Sequence, residues 1–339
     1  MNGKEKTTLD NRPFIYTGNT TRLHAVFEKA ERGEPLSFVF LGASITLGYL
    51  IEKQHQFQDI IRQYFQDKYK NPEITCHNLS MPGMSSLHGL YLSYFELKKY
   101  SPDLIVIDYS VNDQKNQACR EAFESLLVKC LKLPSEPAVI SFFVKRLAGY
   151  TCAPQMISAC EYYNIPYVNV GTMLDNDIKQ GKIRWKDFSY DDCHPGPVGH
   201  NYIGKCLIRL LEQTARSTAT TECFPEKGFY NNSLSSLTFH VFDWKNSNSI
   251  HRSPLVLDVI CSTLFVAYDV DTTPEWGNVC IELDGKELRS LSSYRIHEWS
   301  HPTQEIIYLS REKSPHHITL QMQPGDESKN FNLLCLGTC

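Results

Sequence analysis

The sequence predicts an α/β fold, a three-layer α/β/α sandwich around a mainly parallel sheet, followed by a C-terminal β-sandwich. In the first two thirds of the chain, short apolar runs alternate with longer segments whose apolar residues recur at helical spacing. After the small polar stretch 214–221 this spacing disappears, and short strand-like runs follow each other closely. The length of 339 residues also exceeds the usual size of one hydrophobic core. We therefore expect a first domain at 1–213, a linker at 214–225 and a β-sandwich at 226–339.

The first domain begins with a polar lead-in, in which apolar residues between positions 23 and 30 are spaced for a short covering helix. The five predicted strands that follow are 38–41, 74–79, 104–107, 138–144 and 167–170. The predicted helices are 56–69, 87–97, 118–131, 154–163 and 198–213. The run at 104–107 is apolar at every position, which is typical of a strand covered on both faces in a parallel sheet.

The second domain shows seven apolar runs without helical periodicity. These predicted strands are 237–242, 255–260, 263–268, 279–283, 306–309, 317–322 and 331–336. The dipeptide Asp284-Gly285 is a hairpin turn signal. Seven strands within about 115 residues are typical of a β-sandwich.

A serine follows the first predicted strand, where the apolar run ends in small residues around Ser44. A serine hydroxyl is a poor nucleophile at neutral pH, so it needs a base within hydrogen-bond reach and a third group that orients this base. His194 and Asp191 can supply both functions, since their three-residue spacing lets one short loop present the imidazole together with its carboxylate partner. The pattern predicts a catalytic Ser44, His194 and Asp191.

Acyl transfer through a serine also needs donors for the oxyanion, each worth about 3 kcal/mol in the transition state. Our candidates are the backbone N–H groups of Ser44 and Gly83 and the side-chain amide of Asn112. All three residues follow predicted strands. Because ligands of parallel α/β sheets bind beyond the carboxyl ends of the strands, these residues are expected to converge on one site.

Each of these pieces also has a purely structural interpretation when it is taken alone. Gly83 after Pro82 is typical of a type II turn, which needs a positive φ at this position. Asn112 could end a loop or cap a helix, and the segment 191–194 could form a capping turn before the last helix. Their joint occurrence at the ends of successive strands favours the catalytic interpretation.

Four segments, taken together and in this order, resemble the SGNH (GDSL-like) hydrolases. They read GASIT at 42–46, SMPGM at 80–84, DYSVND at 108–113 and DDCHP at 191–195. The resemblance covers the first domain and implies an SGNH-hydrolase sandwich. It implies that Ser44 is the nucleophile, that Gly83 and Asn112 are oxyanion donors, and that His194 and Asp191 complete the triad.

Two positions depart from the family pattern. Ala43 stands where the family usually has an aspartate before the serine, and Ser110 stands where it usually has a glycine before V-N-D. The first departure affects only a supporting contact, because the aspartate of the predicted triad, Asp191, lies elsewhere in the chain. The second bears on how closely the backbone at this point approaches a substrate.

Composition excludes several other classes of protein. A formal net charge of -4 provides no basic surface for nucleic acid. The polar segment 1–8 lacks the apolar core of a signal peptide, and no later stretch approaches 18 apolar residues, so we expect no membrane association and a cytoplasmic location. The twelve cysteines are scattered without a C-x-x-C pair, which favours reduced and mostly buried thiols.

A metal site is the main alternative interpretation of the segment around His194. Asp192, Cys193, His194 and His200 lie close together in sequence, but structural zinc normally needs paired ligands at two separate places. We therefore expect neither a metal nor a cofactor. Cys193 is a weaker candidate nucleophile than Ser44, because the predicted oxyanion donors accompany the serine.

The favoured function is a carbohydrate O-acetylesterase that forms an acetyl-enzyme on Ser44. The two-domain layout is similar to the intracellular mannan-oligosaccharide acetylesterases, which implies a small acetylated oligosaccharide from mannan or xylan as substrate. Trp276 and Trp299 are the candidate sugar-binding residues. Further aromatics of this domain could also offer flat faces to sugar rings, although core and hairpin packing is favoured for most of the set: Trp244, Tyr268, Tyr294 and Tyr308. The alternatives are a lysophospholipase or acyl-thioesterase of the SGNH type, and a catalytically silent glycan-binding protein. The sequence does not indicate an oligomeric state.

Overall fold

A computed structural model describes residues 13–220, 224–242 and 254–339 of the chain. The chain divides into two compact units, Met1–Asn232 and Ser233–Cys339. The domain bounds at 213 and 226 that were expected from composition stay a prediction.

The first unit is built on a six-stranded sheet in the order β1-β6-β5-β4-β2-β3. Its strands are β1 (Ile15–Tyr16), β2 (Leu36–Gly42), β3 (Ile74–Asn78), β4 (Leu104–Asp108), β5 (Ala138–Phe142) and β6 (Tyr167–Val168). Neighbouring strands from β2 to β6 are parallel, and only the edge strand β1 pairs antiparallel, with β6. The four apolar residues of β4, 104–107, are buried as predicted, and Asp108 at its end is buried as well.

Helices cover both faces of this sheet. They are α1 (Thr21–Glu31), α2 (Ser44–Leu47), α3 (Phe57–Tyr69), α4 (Ser86–Phe95), α5 (Gln117–Leu131), α6 (Ala153–Tyr162), α7 (Val170–Lys179), α8 (Trp185–Phe188) and α9 (Pro197–Ala215). Helices α1, α3 and α9 pack together and share a core with alternate residues of the central strands, such as Phe38 and Phe40. Helix α5 packs between α4 and α6 in a second helical layer. The predicted three-layer sandwich is confirmed.

The fifth predicted strand was too long. Strand β6 ends at Val168, and Val170 already begins helix α7. The reason lies at Asn169, whose side chain accepts a hydrogen bond from the backbone N–H of Thr172 and so caps this helix. Because a valine stands on each side of the capping residue, the apolar pattern predicts a continuous strand and gives no sign that a helix begins at Val170.

The second unit consists of two antiparallel four-stranded sheets, β11-β10-β13-β8 and β12-β9-β14-β7. Their strands are β7 (Thr238–Phe242), β8 (Leu255–Cys261), β9 (Thr263–Val270), β10 (Asn278–Leu283), β11 (Lys286–Ser292), β12 (His301–Tyr308), β13 (Ser314–Met322) and β14 (Leu333–Thr338). Both sheets contribute buried side chains to one core, which confirms the predicted β-sandwich.

The turn at Asp284-Gly285 joins β10 to β11, as its sequence predicts. Both residues have positive φ, 52° and 77°, which is the conformation of a type I′ hairpin turn. Strand β11 itself was missed by the sequence analysis. Its first five residues are exposed on the edge of a sheet, so the segment lacks an apolar run.

A buried carboxylate holds the end of the first unit in place. Glu124 of α5 is fully buried and accepts hydrogen bonds from the backbone N–H groups of Phe229, Tyr230 (2.8 Å) and Asn231 (2.9 Å). It also accepts one from the hydroxyl of Tyr163, at 2.8 Å. These contacts make residues 229–231 an ordered part of the first unit.

No helix in the described ranges is both long and apolar enough to cross a bilayer. The eleven cysteines within these ranges are all free thiols, and most of them are buried.

Candidate active site

Ser44 lies where β2 passes into the short helix α2. Strand β2 ends at Gly42, helix α2 begins at Ser44, and the serine is only 9% exposed. Glycine is needed at position 42, because a Cβ there would lie 2.1 Å from the Thr46 hydroxyl oxygen and 2.8 Å from the carbonyl oxygen of Asp108. The tight strand-to-helix turn therefore places the serine at the carboxyl edge of the sheet.

The three residues of the predicted triad form a continuous chain of hydrogen bonds. The Oγ of Ser44 lies 3.0 Å from Nε2 of His194, and Nδ1 of His194 lies 2.7 Å from Oδ2 of Asp191. With the Nδ1 proton on the side of the carboxylate, Nε2 is free to accept the proton of the serine hydroxyl. This arrangement is the geometry that a serine nucleophile requires.

Asp191 is held in its charged form by its own loop. Burial opposes ionisation, but the backbone N–H and side chain of His194 and the N–H of Cys193 donate to the carboxylate and lower the pKa of Asp191 to about 2. Two further hydrogen bonds hold this loop in place. The indole N–H of Trp185 donates to the backbone carbonyl oxygen of Asp191, and the hydroxyl of Ser189 donates to the backbone carbonyl oxygen of His194.

Gly83 lies in a turn from Met81 to Met84, with a positive φ of 73°. The N–H of Met81 donates to the carbonyl oxygen of Gly42 at 3.3 Å, which couples this turn to the end of β2 next to Ser44. The turn interpretation and the oxyanion interpretation are thus compatible. Among the described residues, the N–H groups of Ser44 and Gly83 donate to no protein acceptor, as a substrate-binding pair requires.

Asn112 follows β4 in a turn closed by its N–H and the carbonyl oxygen of Tyr109, at 3.1 Å. Its side chain is half-buried, and within the described part of the chain its amide makes no hydrogen bond. It is therefore available as a donor. The next residue, Asp113, is fully buried and accepts hydrogen bonds from Ser86 at the start of α4.

The two departures from the family pattern have clear structural outcomes. Ser110 is fully buried, and its hydroxyl donates to Asp108 and accepts from the N–H of Val144, so it joins the end of β4 to the end of β5. The side chain of Ser110 therefore links two neighbouring strands of the sheet. Ala43 is also buried, and α2 begins without a side-chain cap.

Sequence analysis missed the segment after β5, which connects two active-site loops. Nη2 of Arg146 donates to the carbonyl oxygen of Val111, beside Asn112, at 3.1 Å. The N–H of Leu147 donates to the carbonyl oxygen of Asp192, in the loop of His194, at 2.7 Å. No sequence motif marks these residues, because their partners are distant in sequence.

The residues of the metal alternative are only partly brought together. Of its four residues only Cys193 and His194 fall in a group of possible ligands, and the third member of this group is Asp191, not Asp192; the ligand atoms of the group lie within 4.8 Å of one another. His200 lies outside this group. It is buried, its ring stacks on that of Phe57, and its Nδ1 accepts a hydrogen bond from the backbone N–H of Phe57. Burial lowers the pKa of His200 to about 4. Cys193 lies 3.6 Å from Nδ1 of His194, but burial and the neighbouring aspartates raise the pKa of its thiol to about 11, which disfavours a thiolate nucleophile.

The candidate sugar-binding tryptophans lie in the second unit. Trp299 is 46% exposed and stacks on His301 with ring centroids 4.7 Å apart. Trp276 is half-buried, in a bridge with Asn330. Trp244 lies outside the described residues. Tyr268 is fully buried, as core packing predicts. A sugar-binding role for Trp276 and Trp299 stays a prediction.

Comparisons with known proteins relate this chain to one family and to several solved structures. Residues 40–202 match the GDSL-like Lipase/Acylhydrolase family. This part of the chain contains Ser44, Gly83, Asn112 and His194, and the match confirms the predicted resemblance. A search of curated proteins returned no significant match.

Two solved structures match nearly the whole chain, and a third matches about half of it. A two-domain esterase (CEX) active on acetylated mannans, co-crystallised with mannopentaose, matches with a TM-score of 0.78 and 20% sequence identity, covering 96% of each chain. Another structure of an esterase of this description matches with a TM-score of 0.76 and 20% identity, covering 96% of this chain and 97% of the other. An acetylxylan esterase from Geobacillus stearothermophilus matches with a TM-score of 0.45 and 13% identity, covering 52% of this chain and 94% of its own.

Proposed function

We propose that this protein is a carbohydrate O-acetylesterase that removes acetyl groups from mannan- or xylan-derived oligosaccharides. The hydrogen-bonded chain from Ser44 through His194 to Asp191 carries the proposed reaction. The choice of a sugar ester is supported by the likeness, over both units, to a two-domain esterase active on acetylated mannans. The proposal rests on this combination of triad and two-domain architecture.

The reaction proceeds in two steps. In acylation, His194 accepts the proton of Ser44 while Oγ attacks the acetyl carbonyl carbon, and His194 then donates this proton to the departing sugar oxygen. In deacylation, His194 accepts a proton from water, which attacks the acetyl-enzyme, and returns it to Oγ as acetate leaves. Asp191 holds the imidazole in the required tautomer and stabilises its charged form throughout.

Each step passes through a tetrahedral oxyanion. The N–H groups of Ser44 and Gly83 and the amide of Asn112 are the proposed donors to this oxygen. All three groups are free of protein acceptors within the described ranges, so they need not break existing bonds to bind it. Such preorganised donors lower the barrier more than they strengthen ground-state binding.

One observation favours a second candidate, a lysophospholipase or acyl-thioesterase. Leu50 and Leu147 are 76% and 56% exposed on loops that adjoin the residues of the site, and apolar side chains there would suit a longer acyl chain. A catalytically silent glycan-binding protein is disfavoured, because such a protein has no need of an intact triad.

A substrate panel separates these candidates. Release of acetate from acetylated manno- and xylo-oligosaccharides is measured beside hydrolysis of long-chain acyl esters, with the Ser44→Ala variant as the control. We expect oligosaccharide acetates to be preferred and the variant to lose on the order of 10⁴-fold activity or more. A preference for long acyl chains would support the second candidate, and full activity of Ser44→Ala would reject the triad.

A further inference from the structure

We propose that Tyr49 is the platform on which the sugar ring of the leaving alcohol stacks, and that it sets the specificity for this group. The inference rests on the proposed acetylesterase function and deepens it. It names the residue that would distinguish a ring-shaped leaving alcohol from a simple one.

The observation is an exposed aromatic ring beside the base of the triad. The ring of Tyr49 has its centroid 5.3 Å from that of the His194 imidazole, with the two planes inclined by 46°. The side chain is 45% exposed, so one part of the ring contacts the histidine and another part is open to a ligand. Aromatic side chains in such positions bind apolar surfaces and keep their polar tip in water.

The backbone that carries this ring is firmly held. The N–H of Tyr49 donates to the carbonyl oxygen of Ser44 at 3.0 Å, and the side chain of Gln56 donates to the carbonyl oxygen of Ile51 at 2.9 Å. Gly48 supplies the positive φ of 77° that ends helix α2. The ring is thus positioned by the same turn that presents the nucleophile, and a platform fixed in advance costs less ordering entropy on binding.

The next residue adds to this surface. Leu50 has a φ of 61°, a left-handed conformation that is unfavourable for a leucine, and it is 76% exposed. A strained backbone that keeps an exposed apolar side chain next to Tyr49 is explained more easily by ligand contact than by stability.

The chemistry of the triad decides which part of a substrate meets this ring. The leaving oxygen must come within hydrogen-bond reach of Nε2 of His194 to receive its proton. The alcohol attached to that oxygen therefore lies beside the imidazole, where Tyr49 is found, while the acyl oxygen points to the donors at Gly83 and Asn112. The faces of a pyranose ring carry C–H groups, which gain from burial against an aromatic face.

The test compares two acetate esters that differ in their alcohol. An acetylated manno-oligosaccharide presents a sugar ring, and 2-methoxyethyl acetate presents a short flexible chain. We expect the ratio of kcat/KM for the first ester to that for the second to fall roughly 10- to 100-fold in Tyr49→Ala. Tyr49→Phe, which keeps the ring, should retain a ratio near the wild-type value. Phe14→Ala is the matched control, because Phe14 is an exposed aromatic (42%) of the same unit.

A second measurement excludes an effect through His194. Deacylation takes place after the alcohol has left, so stopped-flow kinetics of Tyr49→Ala should show a slower acylation by the sugar ester but no matching decrease in acetyl-enzyme hydrolysis. Equal slowing of both steps, or equal losses on both esters, would overturn the platform while leaving the acetylesterase function intact. If the wild-type enzyme hydrolysed the simple acetate through Ser44 but released none from sugars, the proposed function itself would be wrong, and the platform with it.

Discussion

The buried carboxylate of Asp113 accepts two hydrogen bonds from Ser86, one from its backbone N–H and one from its hydroxyl, each 2.7 Å long. Asp113 follows Asn112, and Ser86 begins helix α4 three residues after Gly83. The pair therefore sets the distance between two proposed oxyanion donors that lie on separate loops.

We expect Asp113→Ala to lower both stability and turnover. Removal of the carboxylate leaves the buried N–H of Ser86 without its acceptor, which costs about 1–3 kcal/mol of unfolding free energy. The loss of alignment between Gly83 and Asn112 should reduce kcat roughly 10-fold or more. Urea unfolding and steady-state kinetics measure the two effects, and Asp113→Asn, which keeps one acceptor oxygen, is the matched control. A destabilised variant with an unchanged kcat would show that Asp113 serves the fold alone.

Asn112→Ala should reduce kcat by roughly 10²-fold with little change in KM, because an oxyanion donor acts mainly on the transition state. The half-buried side chain makes no hydrogen bond within the described ranges, so the fold should tolerate its removal. Kinetics with an activated acetate ester test this, with circular dichroism as a check of folding. A variant that chiefly raises KM would identify Asn112 as a substrate-binding residue.

The pKa of Asp191 predicts how its contribution to stability depends on pH. Its pKa is about 2 in the folded protein, against an ordinary value of 3.8, so folding favours the ionised form. The contribution is complete above the ordinary value and is lost as the pH falls from about 4 towards 2. We therefore expect Asp191→Asn to be less stable than wild type at pH 7, and the difference to narrow in denaturation experiments below pH 4. A difference that widens with acidity would contradict the hydrogen-bonded, charged state of this carboxylate.

Removal of metal ions should leave the activity unchanged. A serine nucleophile with a histidine base needs no Lewis acid, and the proposed oxyanion donors are N–H groups. The measurement is acetate release after incubation with EDTA and desalting. If activity were lost and then restored by zinc, the group of Asp191, Cys193 and His194 would have to be reinterpreted as a metal site.

Glu124→Gln should destabilise the first unit by about 1–3 kcal/mol, because an amide nitrogen cannot accept the hydrogen bonds that the carboxylate receives from residues 229–231. Limited proteolysis should then cut this segment sooner than in wild type. Glu28→Gln, on the exposed side of α1, is the control for the change of charge. Equal stability of the two variants would show that the segment is held by other contacts.

Most of the sheet and the residues of the proposed triad could be predicted from local patterns. Strand β4 is buried on both faces, and its residues 104–107 form a continuous apolar run, as is typical of such a strand. Ser44, Gly83, Asn112 and His194 stand at the ends of elements, where small and polar residues interrupt apolar runs. Strand β11 and helix α7 were not predictable in this way, because the first is an exposed edge strand and the second is separated from β6 only by its capping residue, Asn169.

The sequence by itself determined which residues have the chemistry of the site, since a nucleophile, a base and a carboxylate are properties of side chains. Only the tertiary structure decided which of them meet. Asp191, Cys193, His194 and His200 lie close together in sequence, but His200 is turned into the core against Phe57, while His194 reaches Ser44 across 150 positions of the chain. The contacts of Asp113 with Ser86 and of Tyr49 with His194 likewise join distant segments. Such pairs depend on how the helices and strands pack, which no local pattern of residues records.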